Sequence, residues 1–151
     1  MNLLGPSPSG KPTVLLVDDS RTVLAMYGSA LATEGFAVLK ASTTAEAMGL
    51  IKNTLSSIEL LATDLVLPET LRLTARGRPG AVLHGLELAR QATQVRPDMK
   101  TILFSGQPEE MLKRGGLATS SLPFLRKPFS VEVFLRTVRT VLNAPLPERD
   151  S

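Results

Sequence analysis

The sequence predicts an α/β protein in which five parallel strands alternate with five helices that cover both faces of the sheet. Three observations carry this. Short apolar runs fall at residues 13–17, 36–41, 60–63, 101–104 and 122–126, each bounded by Gly, Pro, Asp, Asn or Ser nearby. Several are apolar on consecutive positions rather than alternate ones, which suits strands buried on both faces. Between them, apolar residues recur at helical spacing, and such alternation of strand and helix produces a doubly wound parallel sheet.

Residues 1–11 are rich in Gly, Pro and Ser without periodicity and read as a flexible lead. The run Thr13-Val-Leu-Leu-Val17 is the first buried strand. Ser20 can cap a helix to about Glu34, with Val23, Leu24, Tyr27 and Leu31 facing the core. Gly35 stops it, and residues 36–41 form the second strand. Thr43 or Thr44 opens a second helix, with Glu46 placed for a capping box and Ala47, Leu50, Ile51 and Leu55 on its buried side. The third strand, residues 60–63, leads to Asp64, and Pro68 forbids its continuation.

Residues 69–83 carry Arg72, Arg76, Arg78, Pro79 and two glycines and read as a loop. Helical pattern returns from His84 to about Val95, with Leu86, Leu88, Ala89 and Ala92 apolar. Pro97 and Asp98 turn the chain into the fourth strand, residues 101–104, ending at Ser105-Gly106. A short helix is expected over residues 108–114, broken by Gly115 and Gly116. The fifth strand, residues 122–126, ends at Lys127-Pro128. Ser130 caps a last helix to about Asn143, and residues 144–151 are a loose tail. The organised domain thus spans residues 12–143, with no internal repeat.

The 151 residues suffice for one domain with a proper core. With no cysteine there is neither a disulfide framework nor a thiolate metal site, in keeping with a cytoplasmic location. No apolar run approaches the ~20 residues of a membrane helix, and the first ten residues lack signal-peptide character. A net charge of +3 and a pI near 9.6 invite nucleic-acid binding. The basic residues are scattered, however, and aromatics for stacking are few, so no direct nucleic-acid contact is expected.

Ligands of open α/β sheets bind at the C-terminal ends of the strands. There the first, third, fourth and fifth strands deliver Asp18 with Asp19, Asp64, Ser105 and Lys127. Any one acid alone is an ordinary cap or turn residue. Together, crowded acids repel one another and favour a divalent cation, and all-oxygen ligands point to magnesium. A lysine beside a metal-loaded carboxylate suits phosphoryl transfer, with Ser105 donating to a phosphoryl oxygen and Gly106 leaving the approach clear. No Gly-x-x-x-x-Gly-Lys loop occurs, which argues against a nucleotide substrate.

The pieces Val14-Leu-Leu-Val-Asp18-Asp19-Ser20, Asp64 with Pro68 four residues on, Phe104-Ser105-Gly106 and Lys127-Pro128-Phe129 resemble a response-regulator receiver domain over nearly the whole chain. The resemblance implies the strand order 2-1-3-4-5 and makes Asp64 the phosphoacceptor. It implies that Asp18, Asp19 and Asp64 hold Mg2+ with the backbone carbonyl of Val66. Lys127 becomes the phosphate-binding cation, Ser105 the switch hydroxyl and Phe124 the switch aromatic. It also implies a cis Lys127-Pro128 bond. One departure is visible: the family's glycine usually stands eight residues after the phosphoacceptor, whereas Gly85 stands 21 after Asp64. The 13 extra residues fall within the insertion 69–83, whose Arg72, Arg76 and Arg78 are candidate lid residues.

The lone His84, ahead of a helix, is a surface or capping residue rather than a phosphodonor. The donor is then a separate histidine kinase or histidine phosphotransfer protein, and an unidentified downstream protein reads the switch. Whether the chain acts alone or as a module of a hybrid kinase stays open; nothing after the last helix suggests an output domain. As a receiver it would be no conventional enzyme, transferring phosphoryl groups only to and from its own Asp64. Two other classes compete. A haloacid-dehalogenase-like phosphatase would use Asp64 as nucleophile but places a second Asp two residues on, where Val66 stands. A receiver-like interaction module that is not phosphorylated has no need of the complete acid set.

Overall fold

Strands β1 (Thr13–Val17), β2 (Ala37–Ala41), β3 (Leu60–Asp64), β4 (Lys100–Ser105) and β5 (Phe124–Arg126) form one sheet in the order β2-β1-β3-β4-β5. Every neighbouring pair is parallel. Helices α1 (Arg21–Thr33), α2 (Thr44–Asn53), α3 (His84–Val95) and α4 (Val131–Asn143) complete the described elements. These come from a computed structural model that describes residues 11–53, 57–67, 84–107 and 122–144. The helix expected over residues 108–114, the insertion 69–83 with its three arginines, Leu55, Pro68, residues 1–10 and the tail beyond residue 144 lie outside the described residues.

The period of two along each strand sorts the apolar side chains onto the two faces. Leu15, Val17, Leu61 and Leu103 join Ala47 and Ile51 of α2 and Leu86, Leu88, Ala89 and Ala92 of α3 in one core. Val14, Leu16, Leu60, Ala62, Ile102 and Phe104 join Leu24, Tyr27 and Leu31 of α1 and Phe134, Leu135 and Val138 of α4 in the other. The central strands β1, β3 and β4 are buried almost throughout, whereas β2 and β5 are half-exposed edges.

Local chemistry accounts for the boundaries. The Ser20 hydroxyl oxygen accepts from Val23 N–H at 3.2 Å, and that of Ser130 from Val133 N–H at 3.1 Å, each satisfying an orphan donor of a first turn. Thr43 Oγ1 accepts from Glu46 N–H at 3.1 Å, while the Glu46 carboxylate accepts from the Ser42 hydroxyl at 2.7 Å. Gly35 ends α1 at φ 93°, a left-handed conformation that glycine adopts without penalty. Phe36 donates its N–H back to the Leu31 carbonyl, so β2 starts one residue later than its apolar run suggests.

Strand β5 begins at Phe124 rather than Leu122. Pro123 has no N–H to donate to the ladder, although its carbonyl accepts from Leu103 N–H at 2.8 Å. Strand β4 is longer than its apolar core, because Lys100 N–H reaches the Glu59 carbonyl at 3.0 Å and Ser105 pairs with Arg126. Among the described residues no helix is long and apolar enough to cross a membrane.

Candidate functional site

Register brings the strand ends level. Val17 stands opposite both Ala41 and Thr63, Asp64 opposite Phe104, and Ser105 opposite Arg126. Asp64 and Ser105 stand in the last of these pairings, and Asp18 and Lys127 follow one residue after theirs, so all four share one edge of the sheet. The sequence places acids, hydroxyl and lysine where each strand stops, and parallel pairing converts four separate stops into one site.

Asp18 is fully buried and Asp64 is 6% exposed, whereas Asp19 stands exposed at the mouth. Carboxylate oxygens of all three lie within 4.8 Å of one another. Each buried carboxylate is oriented by the backbone just ahead of it. Asp18 Oδ1 accepts from Ser20 N–H at 2.9 Å, and Asp64 Oδ1 accepts from Val66 N–H at 3.1 Å. Their other oxygens share one cation, the Lys127 ammonium, which donates to Asp18 Oδ2 at 2.7 Å and Asp64 Oδ2 at 3.1 Å. A buried charge without a partner would be costly, and here one ammonium serves two carboxylates.

Three acids against one lysine leave the pocket short of positive charge. Burial pushes the Asp64 carboxyl up to about 6, with Lys127 opposing the rise and Asp18 adding to it. Partial desolvation and then the neighbouring Asp18 charge raise the Asp19 carboxyl as well. Burial disfavours the Lys127 ammonium, but the hydrogen bond to Asp18 and the charges of Asp64 and Asp18 outweigh it and raise its pKa. Such a donor set, all oxygen and excess negative, fits a hard divalent cation bound by carboxylates.

Ser105 is fully buried at the end of β4, and its hydroxyl oxygen accepts from Gln107 N–H at 3.1 Å. Its carbonyl accepts from Lys127 N–H at 3.0 Å, tying β5 to the site. The Lys127-Pro128 peptide bond is cis, as the resemblance implied. A Cβ built on Gly106 would meet Lys127 Cβ at 3.4 Å, an ordinary contact, so this position has room for a small side chain. Phe124 is half-buried and packs against the core that α2 and α3 cover.

Gly85 has a reason that its spacing alone did not reveal. Its N–H donates to the Leu65 carbonyl at 3.1 Å, and a Cβ there would stand 1.9 Å from the Asp64 carbonyl oxygen. The start of α3 thus lies directly on the backbone of the third strand's acid, an approach only glycine permits. His84, the residue before it, lines a cleft of about 160 Å3 between α2 and α3 with Thr44, Met48, Glu87, Leu88 and Gln91.

Sequence reasoning treated Tyr27 only as core. In the structure its hydroxyl donates to the Phe129 carbonyl at 2.6 Å, two residues beyond Lys127. No sequence signal joins positions 102 residues apart, although a tyrosine on an otherwise aliphatic buried stripe marks a hydroxyl in need of a partner.

The family model described as "Response regulator receiver domain" matches residues 14–139. The chain is 31% identical over 135 residues to the sensor kinase CckA of Brucella abortus, covering 89% of this chain and 13% of that protein. It is 26% identical over 138 residues to the response regulator MprA of Mycobacterium avium, covering 91% and 54%. Among solved structures, a CheY-like receiver domain protein from Methanospirillum hungatei superposes with a TM-score of 0.71 at 25% identity, covering 88% of this chain and 94% of that one. The chain thus corresponds to a minor fraction of the first relative and about half of the second.

Proposed function

The chain belongs to the response regulator receiver domain family, the phospho-accepting module of two-component signalling, and on that premise we propose that Asp64 is its phosphoacceptor. The observation that carries this is the shared ammonium: Lys127 bridges Asp64 and Asp18 at the ends of three different strands. In the reaction an Asp64 carboxylate oxygen attacks the phosphorus of a phosphohistidine on a partner kinase or phosphotransfer protein. A P–O bond forms as the P–N bond breaks, and the imidazole leaves to take up a proton.

Asp18, Asp19, Asp64 and the Val66 backbone carbonyl would hold Mg2+, which when bound offsets the negative charge of phosphoryl group and acids alike. Lys127 exchanges a carboxylate oxygen for a phosphoryl oxygen. Ser105, whose oxygen accepts from Gln107 N–H, donates its own proton to another. That shift opens room for Phe124 to turn inward and alter the surface around β4, β5 and α4 that a downstream protein reads.

The chemistry is confined to the protein's own aspartate, so the chain acts as a switch rather than a conventional enzyme, in the cytoplasm and without contacting nucleic acid itself. Residues 12–143 form the switching domain. The test is to incubate the protein with acetyl phosphate with and without Mg2+. Stoichiometric, metal-dependent incorporation supports the receiver reading. Continuous release of phosphate without a stable adduct would favour a phosphatase, and no incorporation would favour a passive interaction module.

A further inference from the structure

Lys127 stands at the end of an edge strand of three residues, on a four-carbon stem that does not fix where its ammonium lies. Its backbone is held at two points. On one side Lys127 N–H donates to the Ser105 carbonyl. On the other, the carbonyl of Phe129 accepts from the hydroxyl of Tyr27, a buried residue of α1.

The rings extend this hold. The Tyr27 ring lies 5.0 Å from that of Phe129 and 4.9 Å, edge-on, from that of Phe134. Phe129 in turn meets Phe104 edge-on at 5.8 Å, and the Lys127 ammonium stands 5.4 Å above the centre of the Phe104 ring. The path from Tyr27 through Phe129 and Phe104 therefore ends beneath the ammonium. Burial raises the Tyr27 phenol, Lys127 acting against the rise and Asp18 with it, so the hydroxyl stays a donor and lies in the field of the site.

We infer that Tyr27 is a positioning residue for phosphoryl transfer: its hydroxyl on the Phe129 carbonyl and its ring on Phe129 set where the Lys127 ammonium stands relative to Asp64. This rests on the reading of Lys127 as the phosphate-binding cation. When Lys127 leaves a carboxylate for a phosphoryl oxygen, the loop that Tyr27 grips shifts with it. Tyr27 is the sole tyrosine, and the chain has no tryptophan, so the emission of the unmodified protein reports this one contact.

The experiment is a double-mutant cycle on the rate of phosphorylation by acetyl phosphate at saturating Mg2+. Tyr27→Phe keeps the ring and removes the hydroxyl, and the rate is expected to fall about five- to tenfold, the effect of one hydrogen bond. In a Lys127→Ala background the same change should cost nothing further. An equal loss in both backgrounds would mean that Tyr27 only supports the fold, and a wild-type rate in Tyr27→Phe would overturn the inference directly. If Lys127→Ala itself reacted at the wild-type rate, the assignment of Lys127 would fall and the inference with it. Tyrosine emission of the intact chain gives a second reading. A change on phosphorylation that is absent in Asp64→Asn supports the contact, and unchanged emission at full phosphorylation contradicts it.

Discussion

Asp64→Asn should make the protein more stable at neutral pH, by an amount that depends on pH in a defined way. In the folded state burial holds the Asp64 carboxyl at about 6 against an ordinary value of 3.8. The fold thus favours the protonated form. This stabilising contribution is fully present below about pH 3.8 and is lost as pH rises through about 6. The displacement, at about 1.4 kcal/mol per pH unit, amounts to about 3 kcal/mol between pH 4 and pH 7. Asparagine keeps the shape and never ionises, so the variant escapes that loss. Part of the gain is given back because Lys127 then faces Asp18 alone.

The assay is urea denaturation of both proteins from pH 4 to pH 7.5 in the presence of a chelator. The two curves should lie close together near pH 4 and separate by about 1–3 kcal/mol by pH 7, with Asp64→Asn the more stable. Added Mg2+ should then stabilise the wild type more than the variant. A difference independent of pH, or a variant less stable at pH 7 than at pH 4 relative to wild type, would refute the argument that burial strains this carboxylate.

Three further outcomes follow from the same geometry. Asp19→Ala should weaken Mg2+ binding at least about tenfold relative to Asp98→Ala, an exposed acid outside the cluster, as measured by calorimetric titration. Ser105→Ala should still be phosphorylated yet leave downstream affinity unchanged on phosphorylation, where the wild type shifts by about five- to 150-fold. Gly85→Ala, whose Cβ would run into the Asp64 carbonyl and the Leu65 Cα, should lower stability by about 1–3 kcal/mol or more and slow phosphorylation as the strand end is displaced.

The acidic site was legible in the sequence because its chemistry is written at strand ends. Apolar runs announce where a parallel strand is buried, and the polar residue that stops each run must lie at the sheet's C-terminal edge. Asp18, Asp64, Ser105 and Lys127 follow from that rule with little help from tertiary detail. Gly85 was legible only as a displaced match; the backbone of Asp64 against which it lies is what explains a glycine there. The ends of the elements were less so. Strand β5 is shortened by Pro123, which has no N–H to give the ladder, and Phe36 belongs to the turn that closes α1, because its N–H finds the Leu31 carbonyl.

Contacts between distant positions were not legible. Arg96 Nε donates to the Ile51 carbonyl at 3.0 Å and Lys100 Nζ to the Leu142 carbonyl at 2.8 Å, each serving a carbonyl in the last turns of α2 and α4. Both cations look like ordinary surface residues in the sequence. Tyr27 belongs with them, since helical spacing announces its burial but not the carbonyl its hydroxyl finds.

The central claim is tested most directly by locating the phosphoryl group. The protein is phosphorylated with acetyl phosphate and Mg2+, the acyl phosphate is trapped by reduction with borohydride, and the modified residue is identified by peptide mass spectrometry. The modification is predicted on Asp64 alone and absent in Asp64→Asn. Modification of Asp18 or Asp19 in place of Asp64, or an adduct that survives intact in Asp64→Asn, would contradict it.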